Sequence, residues 1–250
     1  MADYDNRVMR GRSVADAGIV DAGLRAYMLR VYNYMLIGLM LTGATAWAVA
    51  NVPEIGALFY QQNEMTGRVG LTGLGWIALL APIGLVLLLS FGIQRMSLGA
   101  AQAVYWGYAA LVGVSLAPVL LVYTGASVAQ VFFITAATFG AMSLYGYSTR
   151  RDLSSIGSFL FMGLIGIIIA SVVNMFVLSS MVSWVISVIG VLIFTGLTAY
   201  DTQWIKETYV ASDDGTLAGK KAIYGALKLY LDFINLFLML LRLLGVANRR

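Results

Sequence analysis

Two acids sit where an apolar chain should have none. Asp201 closes a long uncharged run in Thr198-Ala199-Tyr200-Asp201-Thr202-Gln203, and Asp232 lies inside another apolar segment, Leu229-Tyr230-Leu231-Asp232-Phe233-Ile234-Asn235-Leu236-Phe237. A carboxylate at the middle of a membrane helix costs about 2.5–3.5 kcal/mol on insertion scales, so such a group faces a bundle interior or water. Helical spacing places Lys228, Asp232 and Asn235 on one face, at i−4, i and i+3. Two carboxylates sharing a low-dielectric site cannot both ionise cheaply and titrate as a unit. Sharing one proton, they bond to each other and hold two helices together. Without it they repel, or collect a hard cation such as Ca²⁺, which prefers oxygen ligands. Their separation of 31 positions (232 − 201) permits this meeting without requiring it. Plainer readings stand beside it: Asp201 at the membrane surface or paired with Lys206, and Lys228 neutralising Asp232 as a packing pair.

Other chemistry is excluded by composition. The chain has no cysteine and no histidine, which removes disulfides, thiol catalysis, thiolate metal sites and the usual zinc ligand. Any response to pH rests on carboxylates. No glycine-rich phosphate loop stands at a strand–helix junction, and a nucleophile constellation has no His or Cys to build on. The net charge of +4 sits mainly in loops and tails, where it speaks to membrane orientation rather than to nucleic acid.

The elements that must position these residues follow from where charge is missing. Of 250 residues, 60% are apolar and 11% charged, against about 45–50% and 25% in soluble domains. A bilayer must supply the solvent. Residues 31–53 and 69–94 carry no charge; 96–149 and 153–200 are charge-free over 54 and 48 residues, too long for one crossing of a core about 30 Å thick. They fold back at Tyr123-Thr124-Gly125-Ala126-Ser127 and near Ser179-Ser180. The spans expected are 31–51, 71–93, 98–122, 127–148, 156–178 and 182–204, with a seventh, polar segment at 222–245. The runs are continuously apolar rather than alternating, which selects helices over a barrel. Pro118 is placed to kink the third helix.

The basic residues of the amino-terminal tail, Arg95, Arg150-Arg151, and Lys206 with Lys220-Lys221 fall on alternate connections, so the amino terminus is expected in the cytoplasm. Arg249-Arg250 breaks that pattern, leaving the last segment either to cross or to re-enter. The expected organisation is a basic tail over 1–27 and one membrane domain over 28–250.

Ala199-Tyr200-Asp201-Thr202-Gln203-Trp204-Ile205-Lys206, followed by Leu229 to Phe237 and the closing Leu240-Leu241-Arg242-Leu243-Leu244-Gly245, resembles the Bax inhibitor-1 (YccA-like) family over the whole membrane region; the first 25 residues lie outside it. The resemblance implies an all-α membrane protein, a seven-helix bundle with a polar central last helix, in a bacterial inner membrane. It implies a passive, pH-sensitive Ca²⁺ leak whose aspartate pair, matching Asp201 and Asp232, controls opening and forms the ion site, with no resident cofactor. In some members an arginine of the second span reaches the pair; here Phe91-Gly92-Ile93-Gln94-Arg95 puts Gln94 at that place and Arg95 beside it. Lys228, Asn235 and Arg95 are the residues expected to tune the pair. Some bacterial relatives are linked instead to a membrane-bound AAA protease, and the first 25 residues would suit such a partner.

Two rival classes fit less well. An intramembrane aspartyl protease shares the tyrosine–aspartate motif and the proton-sharing chemistry, but needs a glycine-flanked second acid where this chain has Leu229-Tyr230-Leu231-Asp232. A retinal-binding pump needs an acid in the third span, and residues 98–122 contain none. The expectation is therefore a conduit and not an enzyme.

Overall fold

The computed structural model describes residues 2–62 and 69–248, with side chains of 1–21 and 62–69 left aside. The side chains of the basic tail up to residue 21, and Arg249-Arg250, on which parts of the orientation argument rested, lie outside the described residues. The backbone forms α1 (Ala2–Asn51), α2 (Pro53–Phe59), β1 (Tyr60–Gln62), β2 (Val69–Leu71), α3 (Gly73–Gly92), a 3-10 turn (Ile93–Arg95), α4 (Leu98–Val122), α5 (Gly125–Ser148), α6 (Ser154–Val177), α7 (Ser180–Thr208) and α8 (Gly215–Leu244).

Helix starts are written in local polar residues. Thr72, Ser97, Thr124, Ser179 and Asp214 each accept a hydrogen bond from the backbone N–H three residues on, capping α3, α4, α5, α7 and α8. The turns fall where the sequence places them, between Val122 and Gly125 and between Val177 and Ser180. The second is a left-handed stop at Leu178 (φ 54°) rather than at a glycine. Asn174 supports it: its Oδ1 accepts from the Ser179 N–H (3.1 Å) and its Nδ2 donates to Ser183 Oγ (2.7 Å).

Among the described residues, six helical stretches are long and apolar enough to cross a membrane: Ala22–Asn51, Gly73–Arg95, Leu98–Val122, Gly125–Ser148, Ser154–Val177 and Ser180–Thr208. This is an all-α membrane protein, with one short hairpin. Phe91, Met175, Phe176 and Leu178 are more than 70% exposed, an arrangement stable only when hydrocarbon surrounds the bundle. The last helix differs. α8 carries Lys220, Lys221, Lys228, Asp232 and Arg242, yet it is packed against α1, α4, α5 and α7 and buries Ala222, Ala226, Leu229, Tyr230, Phe233, Leu236 and Leu241. Most of its length is buried against protein and Asp232 with it, so the composition that fails a lipid test matches its place in the fold.

α8 is unbroken. It runs as one helix of 30 residues, and the segment beyond it is fastened to the α4–α5 turn at the far end of the bundle. There the Thr124 N–H donates to the Val246 carbonyl (3.0 Å), the Asn248 N–H to the Val122 carbonyl (2.8 Å), and the Val246 N–H to Ser127 Oγ (2.9 Å). After α1, Pro53 opens α2, and Tyr60 to Gln62 pairs antiparallel with Val69 to Leu71. The polar stretch before residue 31 continues the α1 helix, so the first apolar span begins at Ala22, nine residues earlier than charge alone places it (31 − 22). α4 holds Pro118 inside its helical length.

Close crossings fix the helix rotations. A Cβ at Gly146 would strike the Ala199 carbonyl, so α5 meets the α7 backbone two residues before Asp201. A Cβ at Gly157 would sit 2.5 Å from the Tyr200 ring, tying α6 to the residue beside that acid. Small residues at such crossings let backbones approach where lipid offers no hydrophobic drive between helices.

Candidate functional site

The polar residues converge where α7 crosses α8. Asp201 and Asp232 are 6% and 4% exposed. Both face one cavity of about 1080 Å³, whose walls are α6, α7 and α8 with Ser90 of α3 at its edge. α6 packs chiefly on α7, so the cavity forms an open cleft between α6 and α8. On α8, the residues lining it include Tyr224, Lys228, Leu231, Asp232, Asn235, Met239 and Arg242, which share one helical face. A polar stripe thus runs from Lys228 to Arg242 opposite the apolar α6 residues Phe161, Leu164, Ile168 and Val172.

Within the stripe, Lys228 Nζ donates to Asp201 Oδ1 at 2.7 Å and sits 4.8 Å from the centre of the Trp204 ring. Asp201 and Asp232 line the same cleft, and their carboxyl groups are close enough to interact. Asp232 Oδ2 receives no donor from any described residue. Two carboxyl groups can bond only if one of them carries a proton; failing that, a cation must stand between them. Asn235 lines the same cleft, but its Nδ2 donates back to the Leu231 carbonyl at 2.8 Å, leaving its carbonyl oxygen as the cleft-facing group.

Three sequence readings are corrected here. Lys228 pairs across the helix interface with Asp201, rather than along its own helix with Asp232. Lys206 does not reach Asp201: its Nζ donates to the Tyr147 carbonyl (2.8 Å) and stands over the Tyr147 ring. Arg95 ends the 3-10 turn, exposed, and does not line the cleft, because the turn carries it away from the bundle. Gln94 is likewise exposed, and its carbonyl accepts from Lys220 Nζ (3.1 Å).

Sequence reasoning did not assign Arg242 to the cleft, although its i+14 step from Lys228 is four full turns and was legible. Nor did it find Gln203. That side chain accepts from the Leu153 N–H at 2.9 Å and donates to the Arg151 carbonyl at 2.8 Å, clamping the α5–α6 loop to α7 two residues from Asp201. In the same loop, hydrogen bonds from Ser154 to Asp152 hold that exposed carboxyl below its usual range. Behind the acids, Tyr32 OH, Ser143 Oγ and Thr202 Oγ1 form a hydroxyl chain (2.5 and 2.9 Å) joining α1, α5 and α7. Thr42 Oγ1 bonds Tyr230 OH (2.6 Å) and donates to the Ala109 carbonyl (2.8 Å), joining α1, α4 and α8. Asp232 thereby sits on a helix held firmly on its far side.

Among the described residues no group of three or more acidic, His or Cys side chains converges on a metal position. The pair supplies too few oxygens for a resident Ca²⁺, which takes six to eight.

The class defined by fold and site is an all-α membrane protein with an acid pair buried between its last two helices. Residues 24–249 match the family described as inhibitor of apoptosis-promoting Bax1, and the chain belongs to this Bax inhibitor family. It is 51% identical over 216 residues to a protein of Rickettsia prowazekii, covering 86% of each chain. It is 48% identical over 218 residues to the inner membrane protein YbhL of Escherichia coli, covering 86% of this chain and 88% of that one. A Caulobacter vibrioides protein is 46% identical over 216 residues, 85% of each.

Proposed function

We propose that this protein is a passive, pH-responsive cation leak of the inner membrane, in which the Asp201–Asp232 pair is the sensor and the transient ion site and Ca²⁺ is a permeant ion. The reading rests on one observation: two buried carboxyl groups share one cleft, where both cannot carry charge cheaply. Losing the proton turns an attractive contact into a repulsive one, which parts α7 from α8 or admits a cation. A site of so few oxygens suits an ion in transit, since conduction needs binding weak enough to release.

In this reading α8 is the seventh crossing. The amino terminus and the α7–α8 loop are cytoplasmic, and the carboxyl end lies opposite, beside the α4–α5 turn. The inner-membrane placement follows the relative named for that membrane. In this reading the protein acts as a conduit and not as an enzyme.

A second reading is favoured by the charge of the cleft. With one proton shared, its acid pair is matched by Lys228 alone and Arg242 adds a positive charge, so it has no standing attraction for cations. A non-conducting regulator of membrane proteolysis, acting on a membrane-bound AAA protease, fits such a cleft. Ca²⁺ entry into liposomes holding the purified protein, followed from acidic to neutral pH with D201N and D232N alongside, separates the two. A leak that changes with pH and that either substitution alters supports conduction. Entry equal to empty liposomes at every pH rejects it and turns attention to co-purification with the protease.

A further inference from the structure

The cleft already holds a cation. Lys228 Nζ stands 2.7 Å from Asp201 Oδ1, and the side chains of this pair are 27% and 9% exposed, so the ammonium is the cleft-facing partner and covers the acid. Asp232 lies one turn along the same helix, its Oδ2 without a donor. Sharing the proton that their contact demands, the two carboxyl groups carry one negative charge, and the ammonium cancels it. The tether is four methylenes long and anchored on α8, which is packed against α1, α4 and α5; the acid it covers is on α7. A second resting place adjoins it, the Trp204 face at 4.8 Å from the ammonium, where a cation displaced from the carboxylate keeps favourable company.

We propose that Lys228 is a built-in counter-cation filling the position a mobile cation would take at Asp201, so that an ion binds the acid pair only by driving the ammonium aside toward Trp204. Lys228 is then the residue that sets how weakly the pair holds a divalent ion. This rests on the ion-site reading above for its role in flux, but the occupancy of the site does not. Removing the ammonium leaves an uncompensated charge beside an unpartnered carboxyl oxygen, and a divalent cation becomes its natural partner. At an effective dielectric near that of a protein surface, a unit charge about 4 Å away changes cation affinity by well over tenfold.

The test uses the full-length protein in detergent and in liposomes, as wild type, K228M and K228R. K228M keeps the length and apolar stem of the side chain; K228R keeps a charge. Thermal unfolding is followed with rising CaCl₂, with MgCl₂ and KCl as further probes, and Ca²⁺ entry is measured separately. The expected result is stabilisation of K228M by Ca²⁺ at concentrations well over tenfold below those that act on wild type. K228R should retain part of the suppression that K228M loses, and Ca²⁺ entry should rise in K228M. Identical Ca²⁺ dependence of unfolding in wild type and K228M overturns the proposal. Should K228M unfold during purification, K228R with W204L replaces it. Loss of the second resting place should then weaken Ca²⁺ binding further, and an unchanged response overturns the proposal. A stabilisation that differs between variants, with no entry in any of them, keeps the counter-cation and rejects the leak.

Discussion

Replacing Asp201 by asparagine removes the charge that balances Lys228 while keeping the volume of the side chain. Removing one half of a buried ion pair typically costs 3–5 kcal/mol, because the remaining charge is left uncompensated. Here the cost is smaller. The lysine side chain is 27% exposed to the cleft and has the Trp204 ring beside it, so a loss of about 2 kcal/mol is expected. The matching change at the other acid behaves differently. Asp232 Oδ2 has no donor, and its carboxyl faces that of Asp201. An asparagine there supplies the N–H that the contact lacks, so D232N should fall within about 0.5 kcal/mol of wild type. For a chain of this size about 2 kcal/mol corresponds to a fall in melting temperature of roughly 4–8 °C. Thermal unfolding of the two variants in the same detergent, followed by circular dichroism or by tryptophan fluorescence, reads the difference. Equal losses would show that the ammonium is shared evenly by both acids. A larger loss for D232N would refute the assignment of Lys228 to Asp201.

Further outcomes follow from the same geometry. G146A places a methyl against the Ala199 carbonyl, which cannot yield without moving α7; a loss of about 1–3 kcal/mol is expected, together with an altered pH response of any leak, both measured on one preparation. Y230F removes the hydroxyl that meets Thr42 Oγ1 at 2.6 Å between α8 and α1 and should cost about 1 kcal/mol in thermal unfolding. Because the chain has no cysteine, single cysteines at Asp214 and Val246 need no background changes. An impermeant thiol reagent added to spheroplasts should label the second and spare the first, and the reverse pattern would invert the orientation proposed.

The pairing inside the cleft illustrates what a linear pattern carries and what it leaves out. The i, i+4 spacing correctly places Lys228 and Asp232 on one helical face, yet neighbours on a face need not bond each other. The lysine extends across to α7 because that helix brings Asp201 opposite. Lys206 and Asp201 are five residues apart on one helix, which turns their side chains well away from each other, and Lys206 takes the Tyr147 carbonyl of α5 instead. Arg95 next to Gln94 kept the idea of an arginine near the acids open, and a single 3-10 turn closes it by carrying the side chain outward. The hairpin after α1 had no signal in composition, being two strands of three residues each.

Chain order alone determined the uncharged runs, the turns that interrupt them, the capping residues of α3, α4, α5, α7 and α8, and the two acids that do not belong in lipid. These are local matters: a backbone in hydrocarbon must satisfy its own hydrogen bonds, and a single charge there carries its cost wherever the helix sits. The rotation and crossing of the helices determined the rest. Which acid receives the ammonium, the meeting of Asp201 with Asp232, and the opening of a cleft between α6 and α8 depend on contacts such as Gly146 on Ala199 and Gly157 on Tyr200. Those contacts join residues more than forty positions apart (199 − 146 and 200 − 157), and no periodicity within one helix encodes the angle at which it meets another.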